Sequence, residues 1–453
     1  MTTRLSALDS AFLAVESPTA HMHVGWAAAL DPPAEGPRPS FEQLRDHIEA
    51  RLDRAPRYRQ LIRPVPLGLN APVWADDPDF DVSRHVVHAD RSRLTDVAED
   101  CMSEPLPRDR PLWQICIAPH LEDGRVGVVG KVHHCMVDGI AAVELGSMLL
   151  DPEPVPPPPE ADDWAPRSTP EPASLLAEGM ADLARGPLEL AALPAKVATS
   201  PGRLLDLAGR AGRAVRALAD SARPATPVRP LNQPNSPQRH LALLARPLDD
   251  LRGIKESFGT KLNDVVLAAS AGGIRRFLKR RGETPIALKT MVPVNVRREH
   301  EDGQLGNRIS FMFIDLPCDE PDPTRRLRRV HAETLDRKQA EEPEGADDVV
   351  RSLGWVPTPL QEAVSRLIAS PRTFNLAVSN IPGPREGMYM RGCELKEAYP
   401  VVPLPDRHAL SIGVTNVGEG LCFGLYADRK SLPDADSVAG DMEESIDELL
   451  QLS

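Results

Sequence analysis

The segment Arg125-Val126-Gly127-Val128-Val129-Gly130-Lys131-Val132-His133-His134-Cys135-Met136-Val137-Asp138-Gly139 decides how this chain is read. Its first ten residues are rich in valine, whose branched Cβ suits a pleated strand. Trp113 to Leu121 has the same character and Glu122-Asp123-Gly124 lies between as a turn, so the two runs predict a hairpin. Successive side chains of a strand face opposite sides. Val126, Val128, Val132 and His134 therefore share one face, and Val129, Lys131 and His133 the other. The two histidines cannot jointly chelate a metal from such a strand. His134 lies beside the chain reversal, where a neutral imidazole can take a proton from an alcohol or amine attacking a carbonyl. Asp138 and Gly139 stand at the start of a predicted helix that runs to about Leu150, and Gly139 lets the backbone pass closely. His133, His134, Asp138 and Gly139 are the candidate catalytic set. The plainer alternative is a pair of half-buried histidines and an Asp138 that only caps its helix.

Upstream, Ser40 and Gln43 form a capping box ahead of a helical pattern at Phe41, Leu44, Ile48 and Leu52. Leu94, Val97, Ala98, Cys101 and Met102 mark a second amphipathic helix. Downstream, nine of the 21 residues from Pro152 to Pro172 are proline, which makes an extended linker. Residues 174–222 read as helices, and a second loose stretch runs from Pro224 to Pro237. Within 203–218, Leu204, Ala208, Ala211, Val215 and Leu218 gather on one helical face, with Arg203, Arg210, Arg213 and Arg216 opposite. Such a helix suits an anionic membrane surface, or is an ordinary surface helix with solvated arginines. The C-terminal part alternates helices and strands: a helix over Asn263–Arg281, a strand over Ile286–Val294, alternating Ile309, Phe311 and Phe313, and a short strand from Phe374 to Val378. A hairpin follows over Leu410–Val417 and Leu421–Ala427, then a helix from Asp434 to Leu452. The domains expected are residues 1–151, a linker and helical segment at 152–239, and residues 240–453.

Composition narrows the function. At 453 residues the chain exceeds what one core usually serves. Hydrophobic residues at 41% and charged residues at 26% fit a globular protein. A net charge of −13 without a long basic run offers no footprint for nucleic acid and disfavours that reading. The six cysteines are scattered, with no CxxC and no metal spacing, and read as small buried hydrophobes in a reducing compartment. Arg4, Asp9 and Glu16 interrupt what would be the apolar core of a signal peptide. The longest nearly apolar run, Val265 to Ile274, is about half of a membrane span. The expectation is a cytoplasmic protein able to sit on a membrane surface.

His133-His134-x-x-x-Asp138-Gly139 resembles the signature of the CoA-dependent acyltransferase superfamily, which includes chloramphenicol acetyltransferases, carnitine acyltransferases and peptide-synthetase condensation domains. Within it the chain resembles the bacterial wax ester synthase/diacylglycerol acyltransferase family nearly end to end. The matching motifs, in order, are Leu8-Asp9-Ser10-Ala11-Phe12-Leu13 with Met22-His23-Val24-Gly25, Pro111-Leu112-Trp113, and Asn263-Asp264-Val265-Val266. Pro293-Val294-Asn295-Val296-Arg297, Gly306-Asn307-Arg308-Ile309-Ser310 and Ser379-Asn380-Ile381-Pro382-Gly383-Pro384 follow.

The resemblance implies an α/β, two-domain chloramphenicol-acetyltransferase-like fold with mixed sheets and an active-site tunnel at the domain interface. Acyl-CoA enters as cosubstrate from one side and a lipid alcohol, diacylglycerol or a long-chain alcohol, from the other. His134 would deprotonate the acceptor for direct attack on the thioester, with no metal and no other cofactor, at a membrane or lipid-droplet surface. No GxSxG elbow offers a serine nucleophile, and Cys135 reads as packing. The candidate substrate-binding residues are Trp113, Asn263, Asp264, Asn295, Arg297, Asn307, Ser379 and Asn380, with Arg297 the expected partner of Asp138. Trp113 reads more simply as interior packing, and Asn263 and Asp264 equally well as helix caps. Two other functions fit the same residues: a condensation-type enzyme fed by carrier-protein thioesters, and a lipid-droplet scaffold that performs no chemistry.

Overall fold

The computed structural model describes residues 3–136, 149–156, 162–181, 223–295, 309–339, 358–384 and 386–453. The valine-rich run forms strand β7 (Val126–His133), antiparallel to β6 (Trp113–Ala118), with Trp113 opposite Val132 and Ala118 opposite Gly127. On its other side β7 pairs with β2 (His23–Asp31), and His23 sits opposite His133. Beyond β6 lies β5 (Val86–His88), and beyond β2 come β13 (Cys393–Val401) and β12 (Tyr389–Met390). Residues 389–401, expected within the C-terminal domain, thus complete the N-terminal sheet. Pairing of Gly25 with Val401 joins the two ends of the chain, and no local pattern announces such a contact.

The second six-stranded sheet has the order β10 (Ile309–Leu316), β9 (Leu288–Asn295), β11 (Leu376–Ile381), β14 (Leu410–Val417), β15 (Gly420–Asp428) and β8 (Arg239–Pro247). It is mixed, because β11 runs parallel to both its neighbours while the remaining pairs are antiparallel. A small third sheet is built from β1 (Thr3–Arg4), β4 (Val73–Asp76) and β3 (Gln60–Arg63).

The labelled helices are α1 (Ala7–Val15), α2 (Phe41–Glu49), α3 (Leu94–Ser103), α4 (Leu248–Phe258), α5 (Leu262–Arg280), α6 (Pro323–Gln339), α7 (Thr358–Ile368) and α8 (Ala435–Gln451). The capping box at α2 forms as its sequence predicts, with Gln43 N–H donating to Ser40 Oγ at 3.3 Å and Ser40 N–H to Gln43 Oε1 at 2.9 Å. Leu44 and Ile48 of α2 pack on Val126, Val128, Val132 and Trp113, one face of the first sheet. Val97, Ala98 and Met102 of α3 cover the other face with Ala27 and Val129, and there the second sheet joins through Leu241, Cys422 and Tyr426. The far side of the second sheet is sealed by α5 and α8. Every α5 residue from Asp264 to Ile274 is buried, as befits a helix apolar all round.

The two sheets meet at a notch. Gly413 and Gly424 pair across β14 and β15, and a Cβ on either would stand 2.8 Å or 2.2 Å from the Pro400 carbonyl oxygen of β13. At the edge of the first sheet the contact is polar. Buried Asp151 receives Arg51 Nε at 3.1 Å, and its backbone exchanges two 2.8 Å hydrogen bonds with Tyr389. All six cysteines are buried and free. The helices expected over 139–150 and 203–218 lie largely or wholly outside the described residues, and among the described ones no helix is long and apolar enough to cross a membrane.

Candidate active site

β7 ends at His133, so the strand alternation stops one residue short of His134. A turn follows, closed by Met136 N–H to His133 O at 2.9 Å, while His134 N–H donates to Met22 O at 3.0 Å. The motif histidines thereby part company. His133 is fully buried, and its Nδ1 accepts from Cys135 N–H at 3.1 Å, which leaves the ring proton on Nε2. That nitrogen faces Glu16 Oε1 at 3.7 Å, and Glu16 is also ion-paired with Arg108. Burial, with Arg108 and His134 beside it, holds His133 well below the usual imidazole range. His134 is only half-buried, and its ring lies flat on Phe12 of α1, with centroids 3.6 Å apart and planes inclined by 13°.

Two further histidines close the group. His23 is buried beside His133 and its two ring nitrogens have no hydrogen-bond partner among the described residues. Burial, then the charge of Lys131, keeps it neutral. His21 lies 5.2 Å away between ring centroids, with Nε2 against Pro18 O at 3.0 Å. Met22 between them has φ +51°, a left-handed backbone that a non-glycine residue holds only under constraint; its carbonyl is the one that receives His134 N–H. The cation below is buried Lys131, whose Nζ donates to Cys101 O and, at 2.8 Å, to Glu104 O. Burial pushes the Cys135 thiol far up, and Cys135 packs with Leu5, Trp74, Leu106 and Leu112. It is packing, not a nucleophile.

The remaining sequence candidates fall in different places. Trp113 is 2% exposed, its Nε1–H donates to Tyr58 O at 2.7 Å, and its ring stacks on His85 at 4.5 Å; it is interior packing. Asp264 accepts from Lys261 N–H at 3.0 Å, from Thr334 Oγ1–H at 2.8 Å and faces His331 Nδ1 at 2.7 Å. Its carboxylate caps α5 and bolts α6 to it. Asn263 beside it is half-buried. Ser379 is buried on β11, and Asn380 is exposed at its end. The Pro382-Gly383-Pro384 turn is pinned there, Gly383 N–H donating to Asn416 Oδ1 at 3.1 Å, and a Cβ at Gly383 would lie 1.8 Å from Asn416 O. Asn295 ends β9, opposite Ile309. Asp138, Gly139, Arg297 and Asn307 lie outside the described residues.

The family model described as the wax ester synthase/diacylglycerol acyltransferase catalytic domain matches residues 5–266, and the WS/DGAT C-terminal domain matches residues 305–450. The chain belongs to the wax ester synthase/diacylglycerol acyltransferase family. A protein named as a probable diacylglycerol O-acyltransferase of Mycobacterium tuberculosis is 30% identical over 99% of this chain and 96% of its own length. The solved wax ester synthase/diacylglycerol acyltransferase of Marinobacter aquaeolei superposes with a TM-score of 0.70 at 25% identity, covering 99% of this chain and 98% of its own. The trichothecene 15-O-acetyltransferase of Fusarium sporotrichioides shares the fold at 11% identity, with a TM-score of 0.64 over 99% of this chain and 94% of its own. The α/β fold with mixed sheets expected from the resemblance is the one this WS/DGAT-family chain has.

No local pattern marks Phe12, Glu16, His21 or Met22 for the site, although Phe12 and Met22 fall in the family's opening motifs. The available signal was the pair of histidines spaced by one residue ahead of an apolar strand. Without the pairing of β2 to β7, nothing in sequence sets His23 against His133.

Proposed function

We propose that this family member transfers a long-chain acyl group from acyl-CoA to the hydroxyl of diacylglycerol or of a long-chain alcohol, with His134 as the general base. The observation that carries this reading is the divergence of the two motif histidines within a chain matched by both family models. His133 is sealed, with Nδ1 taken by Cys135 N–H and Nε2 buried 3.7 Å from the Glu16 carboxylate, whereas His134 is only half-buried. In the step, the acceptor O–H proton passes to the His134 ring as the oxygen bonds to the thioester carbonyl carbon. The carbon–sulfur bond then breaks and the thiolate takes the proton back from His134, so no group remains on the enzyme. The neutral neighbours help, because protonated rings at His133 or His23 would oppose the positive charge that His134 acquires.

Asn263, Ser379 and Asn380 are proposed to line the path to the base, together with Asn295, Arg297 and Asn307. Asp138 is proposed to be ion-paired to Arg297 and to position the motif. Because diacylglycerol and fatty alcohols reside in lipid, the enzyme works at a membrane or lipid-droplet surface. The test is radiolabelled palmitoyl-CoA with dioleoylglycerol or hexadecanol, products separated by thin-layer chromatography. Wild type should yield triacylglycerol or wax ester, and His134→Ala should lose roughly 10²–10⁴-fold in turnover while still folded. His133→Ala should lose less. Full activity in folded His134→Ala would remove the base.

A further inference from the structure

We propose that Phe12 is a positioning residue for the base, and that α1 is the element that orients both motif histidines. This rests on the reading of His134 as the base. The Phe12 ring lies 3.6 Å from the His134 ring and within 13° of parallel. One turn further on, the residue that ends the same helix, Glu16, brings Oε1 to 3.7 Å from His133 Nε2. The nine-residue helix and its C-cap residue therefore face both rings. It is itself held at two ends. Ser6 and Asp9 form a capping box, with Asp9 N–H donating to Ser6 Oγ at 3.1 Å. Ala14 O receives Arg366 Nε–H of α7 at 3.1 Å. The helix buries none of its own residues completely, and Phe12 and Leu13 pack in part against the cluster of Leu5, Trp74, Leu106, Leu112 and Cys135. From that position Phe12 also covers one face of the His134 imidazole.

The stack does two things. It restricts rotation of the His134 ring, so that the nitrogen facing substrate keeps its direction. It also places the negative face of an aromatic ring against an imidazole that becomes cationic while it holds the acceptor's proton. That attraction is stronger for the protonated ring than for the neutral one, and an interaction that strengthens along the reaction lowers its barrier. A leucine of similar bulk would fill the space without that face.

The experiment uses the full chain with palmitoyl-CoA and dioleoylglycerol, comparing Phe12→Leu, Phe12→Ala and Phe12→Tyr with wild type and His134→Ala. Phe12→Leu and Phe12→Ala should lower kcat roughly 3- to 30-fold, while KM for palmitoyl-CoA stays within about twofold and melting temperature is nearly unchanged. Phe12→Tyr, which keeps the ring, should restore kcat. Histidine ring-proton NMR supplies an independent readout. The His134 resonances, identified by their loss in His134→Ala, should lie upfield in wild type and move downfield in Phe12→Leu. Phe12→Leu at wild-type kcat, Phe12→Tyr as slow as Phe12→Leu, or a His134 resonance indifferent to Phe12 would each overturn the proposal. If Phe12→Ala does not fold, the Leu and Tyr pair still decides. An inactive His134→Ala beside a fully active Phe12→Leu overturns this inference alone, whereas an active His134→Ala overturns the base and this inference with it.

Discussion

Asp264 shows how one carboxylate can look like a site residue in sequence and behave as a joint in the fold. Its oxygens accept from Lys261 N–H and Thr334 Oγ1–H and meet His331 Nδ1, all while it is 1% exposed. Asp264→Ala takes the acceptor from Lys261 N–H and the partner from His331 Nδ1, and leaves Thr334 Oγ1–H only the His331 carbonyl at 3.0 Å. The expected cost is about 2–4 kcal/mol, from a lost cap together with lost hydrogen bonds to a charged group. Thermal denaturation should show the fall, with activity declining in step. Activity lost at an unchanged melting temperature would instead assign Asp264 to the substrate. At this scale sequence reading does well where a residue's partners are its neighbours in the chain. Ser40 and Gln43 cap a helix three residues away from one another, and spacing alone identifies them. His134 was also legible, because its motif is local. Phe12 against His134 and Glu16 against His133 were not, since those contacts join α1 and its C-cap to the end of β7 and no periodicity encodes them.

The elements divide in the same way. The 113–134 hairpin, the 410–427 hairpin and the helix at 262–280 follow from β-branched runs, glycine turns and helical spacing. The insertion of β13 beside β2 does not, because its register is set by packing between sheets and not by either strand's own pattern. What sequence does mark, without explaining, is glycine inside strands. Gly413 and Gly424 lie where the Pro400 backbone of β13 presses onto β14 and β15. A methyl group at Gly424 would sit 2.2 Å from the Pro400 carbonyl oxygen, and backbone on both sides leaves it nowhere to go. Gly424→Ala should therefore destabilise by about 1–3 kcal/mol or more, by forcing the sheets apart. Gly440 of α8 provides the control, for nothing lies within 4 Å of its missing Cβ. Gly440→Ala should be neutral or stabilising by up to about 1 kcal/mol through helix propensity. Chemical denaturation midpoints of the two variants should move in opposite directions, and a Gly424→Ala protein as stable as wild type would mean that the notch can open without cost.

Across the whole molecule the buried histidines are the common thread, since they tie the site to the acid stability of the fold. His21, His23, His47, His85, His133 and His408 are all buried and all have lowered affinity for a proton, with burial the leading cause. For His47, His85 and His408 the fall is to about 4. His85 lies between the rings of Phe80 and Trp113, its Nδ1 2.9 Å from Trp113 O. His408 has Phe374 O 3.0 Å from Nε2 and Asp406 O 3.0 Å from Nδ1. Above pH 6.5 these rings are neutral in both folded and unfolded chains, and stability is at its full value. Between 6.5 and about 4 the unfolded chain binds protons that the folded chain refuses, so stability falls as pH falls. A shift of this size is worth about 3 kcal/mol for each ring at the lower end of the window. Two or three such rings rival the net stability of a typical fold, about 5–15 kcal/mol. Burial pushes the Glu333 and Asp441 carboxyls up, so these two take the opposite course and gain stability as pH falls. Asp76, held down by its hydrogen bonds to Arg167, loses its contribution only at much lower pH. The expected result is a melting temperature that drops steadily from pH 7.5 to 5 and a loss of activity that tracks the loss of fold. His85→Gln with His408→Gln keeps a donor at each site but removes the proton uptake of the unfolded chain. In that double variant the slope of melting temperature against pH should be visibly shallower, even if the protein is less stable at pH 7.5. A wild-type curve flat between pH 7.5 and 5, or an unchanged slope in the double variant, would show that these imidazoles are not what the fold protects from acid.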